Sequence, residues 1–314
     1  MANVTAAGTV WNCPNYVGEL FLVGAGRTPF LNMIGGLTGG GRTASAFAFA
    51  TAQPWSLEAA AQPAISESAS LTAPDPVTYV RGQDVNTCQI FQKQVSVSYA
   101  KQSSTGLVAG LSLAGEVQPV GSERDFQIMA AMRQVALDVD WCFLNGAYQA
   151  AADAATPAKT RGIVTACTTN VEDATGAALD KDHIETLLRE MADNGAQFGQ
   201  MVLFCSAFQK QKLSSLYGYA PTDRTVGGLA VQQLVTDFAQ IGVVWAPNVP
   251  AGTVLVADLA VCAPVFLPVP GKGVLFYEEL SKTGAAEKGQ IYGQIGLDYG
   301  PEEYHGKIVN LATT

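Results

Sequence analysis

A run of glycines ending in a cation, Gly36-Leu-Thr-Gly-Gly-Gly41-Arg42-Thr43, comes nearer to a catalytic motif than any other stretch of this chain. With lysine at position 42 it would read as a P-loop, whose backbone amides cradle nucleotide phosphates. A working P-loop follows a buried strand and opens a helix whose N-terminal amides hold the phosphate. Here Pro29-Phe-Leu-Asn-Met precedes the glycines and strand-like Ser45 to Phe49 follows them. That context favours a flexible glycine hinge over a nucleotide site.

The remaining chemistry-bearing residues do not converge. The two histidines, His183 and His305, lie far apart in sequence. His183, beside Asp182 in the first turn of a predicted helix, reads as a solvated surface residue, and His305, between Tyr304 and Gly306, as the start of a strand. Asp138 and Asp140 are two apart on a predicted helix and so point to different sides. The pairs Glu278-Glu279 and Glu302-Glu303 fall in or beside predicted strands, where neighbours face apart, and read as solvated edge or subunit-contact charge. Cysteines at 13, 88, 142, 167, 205 and 262 are too dispersed for any metal-ligand spacing and read as small core hydrophobes in a reducing compartment. No nucleophile-elbow, zinc-protease or kinase pattern occurs. The expectation is a chain that is not an enzyme and uses no cofactor and no metal.

Composition points the same way. The 314 residues can bury a substantial core, in two subdomains rather than one. Charged residues make up only 14% and hydrophobic ones 48%, so much surface must be weakly polar, as expected where neighbouring subunits cover it. A net charge of −9 argues against a nucleic-acid reader, which needs clustered Lys and Arg. No basic segment precedes an apolar one at the N-terminus, as a secretory signal would require. The longest apolar run, Thr253 to Val269, carries Asp258, Pro264 and Pro268 and cannot span a membrane. The expectation is a soluble protein made in a cytoplasm.

The elements that would position any site begin with a strand. Val95, Val97 and Tyr99 alternate with Gln94, Ser96 and Ser98, the period of a half-buried strand. A long helix then starts at Gly121-Ser122, with Ser122 as cap and Asp125 in a capping-box-like position, and stops at Asn145-Gly146, where the glycine would supply a left-handed turn. Its stripe of Ile128, Met132, Val135, Val139 and Cys142 faces a core for roughly 35 Å at about 1.5 Å per residue. Upstream, Phe47 to Phe49 suggests an outgoing strand and Cys88 to Tyr99 the returning one. Between them lies a Pro-, Ala- and Ser-rich excursion through Pro54, Pro63, Pro74 and Pro76, too long for an ordinary loop of a compact domain. Downstream, Asp180 caps a helix bearing Ile184, Leu187, Leu188 and Met191, ended by Asn194-Gly195. Met201 to Cys205 is a buried strand, and Ser206 to Gln209 opens a second helix that stops at Gly218. Val231, Leu234, Val235 and Phe238 predict a third helix ending near Gly242. Strands are expected at Gly242–Trp245, Thr253–Ala257, Val274–Leu280, Ile291–Tyr299 and Tyr304–Leu311.

Arg81, Asn86, Thr87 and Gln89-Ile90-Phe91 leading into a Val95-x-Val97-Ser98 strand, a long helix ending Leu144-Asn145-Gly146, and then Arg161-Gly162-Ile163 together resemble the major capsid proteins of tailed bacteriophages. The likeness is to the SU10-like subgroup, built on the HK97 fold. It is specific from about Arg81 to Ile163, holds at the level of pattern from there to the C-terminus, and rests on general character before Arg81. The resemblance implies an α+β fold with an N-terminal arm (1–43) laid over a neighbour and an extended loop (44–98). A peripheral domain would follow in two parts (99–163, with the long spine helix, and 269–314), separated by an axial domain (164–268). It implies a shell of hexamers and pentamers closing an icosahedral head around double-stranded DNA, assembled in the host bacterial cytoplasm. The expected partners are the chain itself, separate scaffolding, portal and decoration proteins, and DNA bound without sequence preference; no membrane is involved. Subunit contacts are expected at Pro54, Trp55, Leu57, Tyr79 and Arg81 on the loop, with Arg81 anchoring its base. Tyr217, Tyr219 and Arg224 are expected near the capsomer centre.

Some shells of this fold crosslink a loop lysine to a neighbour's asparagine. This chain has no lysine before Lys93, so a non-covalent shell is expected. The arm and loop are expected to take up everything before the spine helix, so a fused scaffolding region is not expected. Two rival readings remain, an encapsulin-like nanocompartment with the same fold and an enzyme using the Gly36 to Thr43 loop to bind nucleotide.

Overall fold

A computed structural model describes residues 26–37, 41–73, 75–103, 123–217, 224–226 and 229–313. The chain opens with helix α1 (Pro29–Met33), strands β1 (Arg42–Thr43) and β2 (Ala48–Ala52), and the short helix α2 (Glu67–Ser70). Strands β3 (Asp84–Thr87) and β4 (Gln89–Ser98), helix α3 (Tyr99–Ser103) and the long helix α4 (Glu123–Asn145) follow. Next come α5 (Ile163–Ala166), β5 (Val171–Asp173), α6 (Lys181–Asp193), β6 (Met201–Cys205) and α7 (Ala207–Tyr217). The rest is strand: β7 (Arg224–Val226), β8 (Leu229–Val235), β9 (Gln240–Trp245), β10 (Val254–Asp258), β11 (Ala263–Phe266), β12 (Leu275–Glu279), β13 (Ala286–Asp298) and β14 (Gly306–Val309).

The strands form three sheets among the described residues. A seven-stranded sheet runs β5-β14-β10-β6-β9-β8-β7, a five-stranded one is built around β13, and β2 pairs with β3 alone. Strands β6 and β10 are buried on both faces, which is why each reads as a continuous apolar run rather than an alternating one. On one face, Leu203, Cys205, Val254 and Val256 pack against Ile184, Leu187, Leu188 and Met191 of α6. On the other, Val202, Phe204, Leu255 and Ala257 join a core with α1, α4, α5 and the five-stranded sheet. The predicted α6 stripe and the alternation of β13 sit as the sequence requires; β4 alternates through Val95 and Val97, but Tyr99 opens α3 and is exposed.

Several expectations need correction. The segment predicted as a third helix is β8, antiparallel to β9. Apolar residues at 231, 234 and 235 fit a helix locally, but Thr236 turns the chain by bonding Ala239 through both its backbone and its hydroxyl, which closes a hairpin. Leu234 is then buried and Val235 exposed, and Phe238 lies beyond the strand, stacked on Phe198. The outgoing strand β2 pairs with β3, whereas the returning strand β4 pairs with β13 over ten residue pairs. Residues 29–34 are not purely an arm. Phe30 and Leu31 are fully buried in this subunit's own core, Phe30 edge-on to Phe204 at 5.4 Å.

The spine helix occupies its expected span, but its buried stripe is rotated toward Val135, Val139, Asp140, Phe143 and Leu144, leaving Met132 exposed. Asp140 is buried because it has work to do there. Its carboxylate accepts from the Leu31 backbone N–H at 2.9 Å and from Asn248 at 2.7 Å, tying α1 and the turn after β9 to the spine. Burial pushes the Asp140 carboxyl above its ordinary range, and those two hydrogen bonds oppose the rise. Ser122, the expected cap, lies outside the described residues. Gly146 does end the helix but without a left-handed φ. A glycine is required because a Cβ there would strike the carbonyls of Thr160 and Cys142.

The final strand begins at Gly306, not Tyr304, because Glu302–Tyr304 forms a 3-10 turn. Glu302 is no solvated edge charge. Burial alone would raise its pKa, but the amides and hydroxyls of Thr168 and Thr169 donate to it and hold the carboxyl below its ordinary value. His305 is fully buried just before β14. Its Nδ1 accepts from the Asp258 backbone N–H at 3.2 Å, so Nε2 carries the proton donated to the Tyr299 carbonyl at 2.6 Å. Burial lowers its pKa, against that hydrogen bond and the nearby charges of Asp258 and Glu302.

The unfolded chain therefore takes up this proton first. The stability due to neutral His305 should be complete above the ordinary value of about 6.5 and fall with pH below it, by up to about 1.4 kcal/mol per pH unit. Urea unfolding of the unassembled chain between pH 7 and 5 should show this slope, and His305→Gln should flatten it.

Candidate functional site

Among the described residues no enzymatic constellation forms. Arg42, the cation of the glycine run, is ion-paired with the nearly buried Asp298, and Thr43 continues into β1, which pairs in parallel with β11. A strand stands where a phosphate-binding helix would have to begin, so the nucleotide reading loses both its cation and its helix. His183 is half-buried and bonded to Glu172 at 3.1 Å rather than solvated. Burial holds the thiols of Cys88, Cys167 and Cys205 up at about 12, far from nucleophilic range, and Cys142 at about 11. Among the described residues no three potential ligands cluster to hold a metal, and no helix is long and apolar enough to cross a membrane.

What the fold does position is a long excursion. Strands β2 and β3 form a two-stranded ribbon with a bulge between Ala50 and Ala52. Its last pairing is a bridge between Trp55 and Arg81, beside which Gly82 N–H donates to the Pro54 carbonyl at 2.8 Å. Arg81 thus marks the base of the loop through its backbone, and its side chain is exposed.

Below that base sits Asn86, completely buried in mid-strand. Its amide donates to the carbonyls of Leu297 at 2.7 Å and Arg161 at 3.1 Å. Its oxygen accepts from the amides of Arg161 at 2.7 Å and Thr87 at 2.9 Å. The Leu297 N–H donates to the Thr160 hydroxyl at 3.2 Å, and Gly162 N–H donates to the Gly146 carbonyl at 2.8 Å, an approach so close that a Cβ on Gly162 would collide with Leu144 and Gly146. The motif residues Asn86, Thr87 and Arg161-Gly162, about 75 positions apart, therefore meet in one buried junction that joins the loop base to the end of the spine helix and to β13.

Beyond the base, residues 56–73 and 75–80 have no strand partner among the described residues and almost no burial. The single turn α2 is capped by Ser66 and buries nothing. Trp55, Leu57, Ile65, Leu71, Val77, Tyr79 and Val80 are all exposed, Leu71 to 86% and Val80 to 80%. Between Gln53 and Val80 the charges are Glu58, Glu67 and Asp75, with no Lys or Arg. An apolar, thinly charged surface of this extent marks an interaction site. Ile65, Leu71, Val77 and Val80 lay inside the expected excursion without being singled out. Their signal was large aliphatics scattered through a Pro- and Ser-rich stretch.

The second group of candidates is not brought together as fully. Tyr217 ends α7 with Lys181 Nζ 5.0 Å from its ring centroid, and its buried hydroxyl has no hydrogen-bond partner among the described residues. Burial, then Glu185 and Asp180, raise its pKa. Tyr219 lies outside the described residues, and Arg224 opens β7 opposite Val231.

The sequence model of the SU10 major capsid protein family matches residues 3–312. The chain belongs to that family. It is a phage major capsid protein, a structural rather than enzymatic family. No curated protein sequence gives a significant match. Among solved structures, the capsid of cyanophage A-1(L) superposes with a TM-score of 0.63 at 13% identity, covering 96% of each chain. The capsid of a native GTA particle gives 0.59 at 12% identity over 99% of each. The holo-SrpI encapsulin of Synechococcus elongatus PCC 7942 gives 0.55 at 10% identity, covering 96% of this chain and 93% of that one. At these identities the likeness is one of fold, the HK97-like capsid fold.

Junction and loop should separate cleanly by mutation. Asn86→Ala strands several buried backbone groups and should cost about 2–4 kcal/mol in urea unfolding of the unassembled chain. Leu57→Ser, Ile65→Ser and Leu71→Ser together should change it by less than about 0.5 kcal/mol per site, because these side chains are largely exposed in the monomer.

Proposed function

We propose that this capsid subunit assembles through its 53–80 loop into hexamers and pentamers that close an icosahedral head around double-stranded DNA. The observation that carries the reading is the loop itself, seven large apolar side chains held out from a rigid base with no core of their own. Ordering such a segment costs conformational entropy that burial against a neighbour must offset. Many modest contacts per subunit then make a closed shell stable collectively. The loop residues Pro54, Trp55, Leu57, Tyr79 and Arg81 form the clasp. The lobe of α6, α7 and the seven-stranded sheet acts as the axial domain, with Tyr217, Tyr219 and Arg224 toward the capsomer centre; β14, from the stretch expected to be peripheral, pairs into that sheet, and β11, from the stretch expected to be axial, pairs into the five-stranded one. The spine helix and five-stranded sheet act as the peripheral one. The N-terminal arm reaches a neighbour, while scaffolding, portal and decoration proteins come as separate chains in the host cytoplasm. A net charge of −9 suits a container that does not read its DNA.

The shell is held without covalent crosslinks. The first lysine, Lys93, lies on β4 beyond the Ala44 to Arg81 stretch that projects as the loop, and is paired with Asp138 at 3.0 Å on the body. A second reading, a cargo-enclosing nanocompartment, draws on the encapsulin likeness and needs the same contacts. Its container would hold protein instead of DNA.

Negative-stain microscopy and sedimentation of the expressed full chain should show shells, capsomers or sheets, with a single 32.8 kDa band on a denaturing gel. A monomer that persists with a co-expressed scaffold contradicts assembly, and a ladder of linked subunits contradicts the non-covalent shell. Mature particles containing protein cargo and no DNA would favour the nanocompartment.

A further inference from the structure

Helix α1 crosses a boundary. The spine helix lies on one side of it and the seven-stranded sheet on the other, and its few residues hold both. Phe30 meets Phe204 of β6 edge-on at 5.4 Å, and just ahead of the helix the Arg27 guanidinium stands 5.6 Å over the Trp245 ring at the end of β9. On the spine side the Leu31 N–H donates to the Asp140 carboxylate at 2.9 Å. The same carboxylate accepts from the Asn248 side-chain amide at 2.7 Å, in the turn that follows β9. The Asn248 carbonyl in turn accepts from Asn145 at the end of the spine helix, also at 2.7 Å. Three elements far apart in sequence thus close on one buried carboxylate.

Two features mark this closure as a device for position rather than for stability alone. Asp140 is fully buried and both its hydrogen-bond partners are neutral, so its charge is desolvated with no cation among them to offset the cost. A well-packed apolar side chain of similar volume often stabilises a core as well as a buried charge does. What the carboxylate adds is direction, because its oxygens hold their donors at set distances and angles, whereas apolar faces can slide. The second feature is α1 itself. Five residues are far fewer than an isolated helix needs to persist in water, so α1 is helical only because Phe30, Leu31 and Ile34 are buried. Gly35 and Gly36, both at positive φ, end it at once.

We propose that α1 is a strap across this boundary, with Asp140 as its positioning residue, and that it fixes the angle between the spine helix and the seven-stranded sheet. In a subunit that closes a curved shell this angle sets the curvature, so the strap confines assembly to one shell size. That consequence rests on the shell reading, whereas the strap does not.

Met132 on the spine helix and Val235 at the end of β8 are exposed. Met132→p-acetylphenylalanine with Val235→p-acetylphenylalanine can therefore carry nitroxides whose separation is read by pulsed electron resonance in the unassembled full chain. The parent should give one narrow distance distribution. Asp140→Ala should widen it at least twofold, and Asn248→Ala, which removes only the carboxylate's side-chain donor, carries the same test if Asp140→Ala does not fold. Asp140→Asn keeps an acceptor for Leu31 and, with the Asn248 amide turned over, a donor toward Asn248, so it should restore the parent width. Leu188→Ala opens a cavity in the other core and should lower the urea midpoint without widening the distribution. Unchanged width in both Asp140→Ala and Asn248→Ala, or equal widening in Leu188→Ala, overturns the strap. In assembled material Asp140→Ala should turn a single shell diameter into several, and widened distances with one unchanged diameter overturn the control of curvature. A parent that closes no shells removes the shell reading, and the distance measurement still decides the strap.

Discussion

A single buried amide holds the geometry of this subunit together. Asn86 uses both its donors and both its acceptor positions on backbone groups from three separated stretches, β3, the turn at Arg161 and the end of β13. Each bond contributes about 1 kcal/mol net, but an unpaired buried group costs about 1–3 kcal/mol, so the junction is worth more as a constraint than as a sum of contacts. It makes the direction of the loop a consequence of where the spine helix ends. The glycines at 146 and 162 serve the same end by letting two backbones touch where any side chain would hold them apart.

From that anchor the chain divides its apolar side chains between two destinations. One set fills the two cores on either face of the seven-stranded sheet. The other, from Trp55 to Val80, is carried out into water on a segment with no core. Fully burying a large apolar side chain is worth about 1.5–3 kcal/mol, so the loop holds a reserve on the order of 10 kcal/mol per subunit, released only on contact with another surface. Subtracting the entropy of ordering the loop leaves a weak individual contact, which is what a closed shell of many subunits requires if errors are to be reversible.

The parts of this design that were legible in the sequence are those set by local rules. The alternation of β4 and β13, the stripe of α6 and the all-apolar runs of β6 and β10 follow from burial on one face or two. The excursion was visible as prolines and small residues where a compact domain should have turned. The misread parts depend on distant partners. β8 has helical spacing, and only its hairpin with β9 makes it a strand. Asp140 reads in sequence only as unable to pair with Asp138, because the Leu31 amide it receives is 109 positions away. Glu302 likewise gains its meaning from Thr168 and Thr169. Asn86 stood in the quoted motif without a role. A lone asparagine between Val85 and Thr87 in a strand disagrees with local propensity, and such disagreement is where a long-range constraint leaves its trace.

The central claim is that a rigid junction presents a surface that is finished only by another copy of the chain. Hydrogen–deuterium exchange with peptide-level mass spectrometry on unassembled and assembled full chains tests it most directly. The account predicts that residues 56–80 exchange rapidly before assembly and slow at least a hundredfold after it, while the peptide holding Asn86 is protected equally in both. Rapid exchange across 56–80 in intact shells would contradict it.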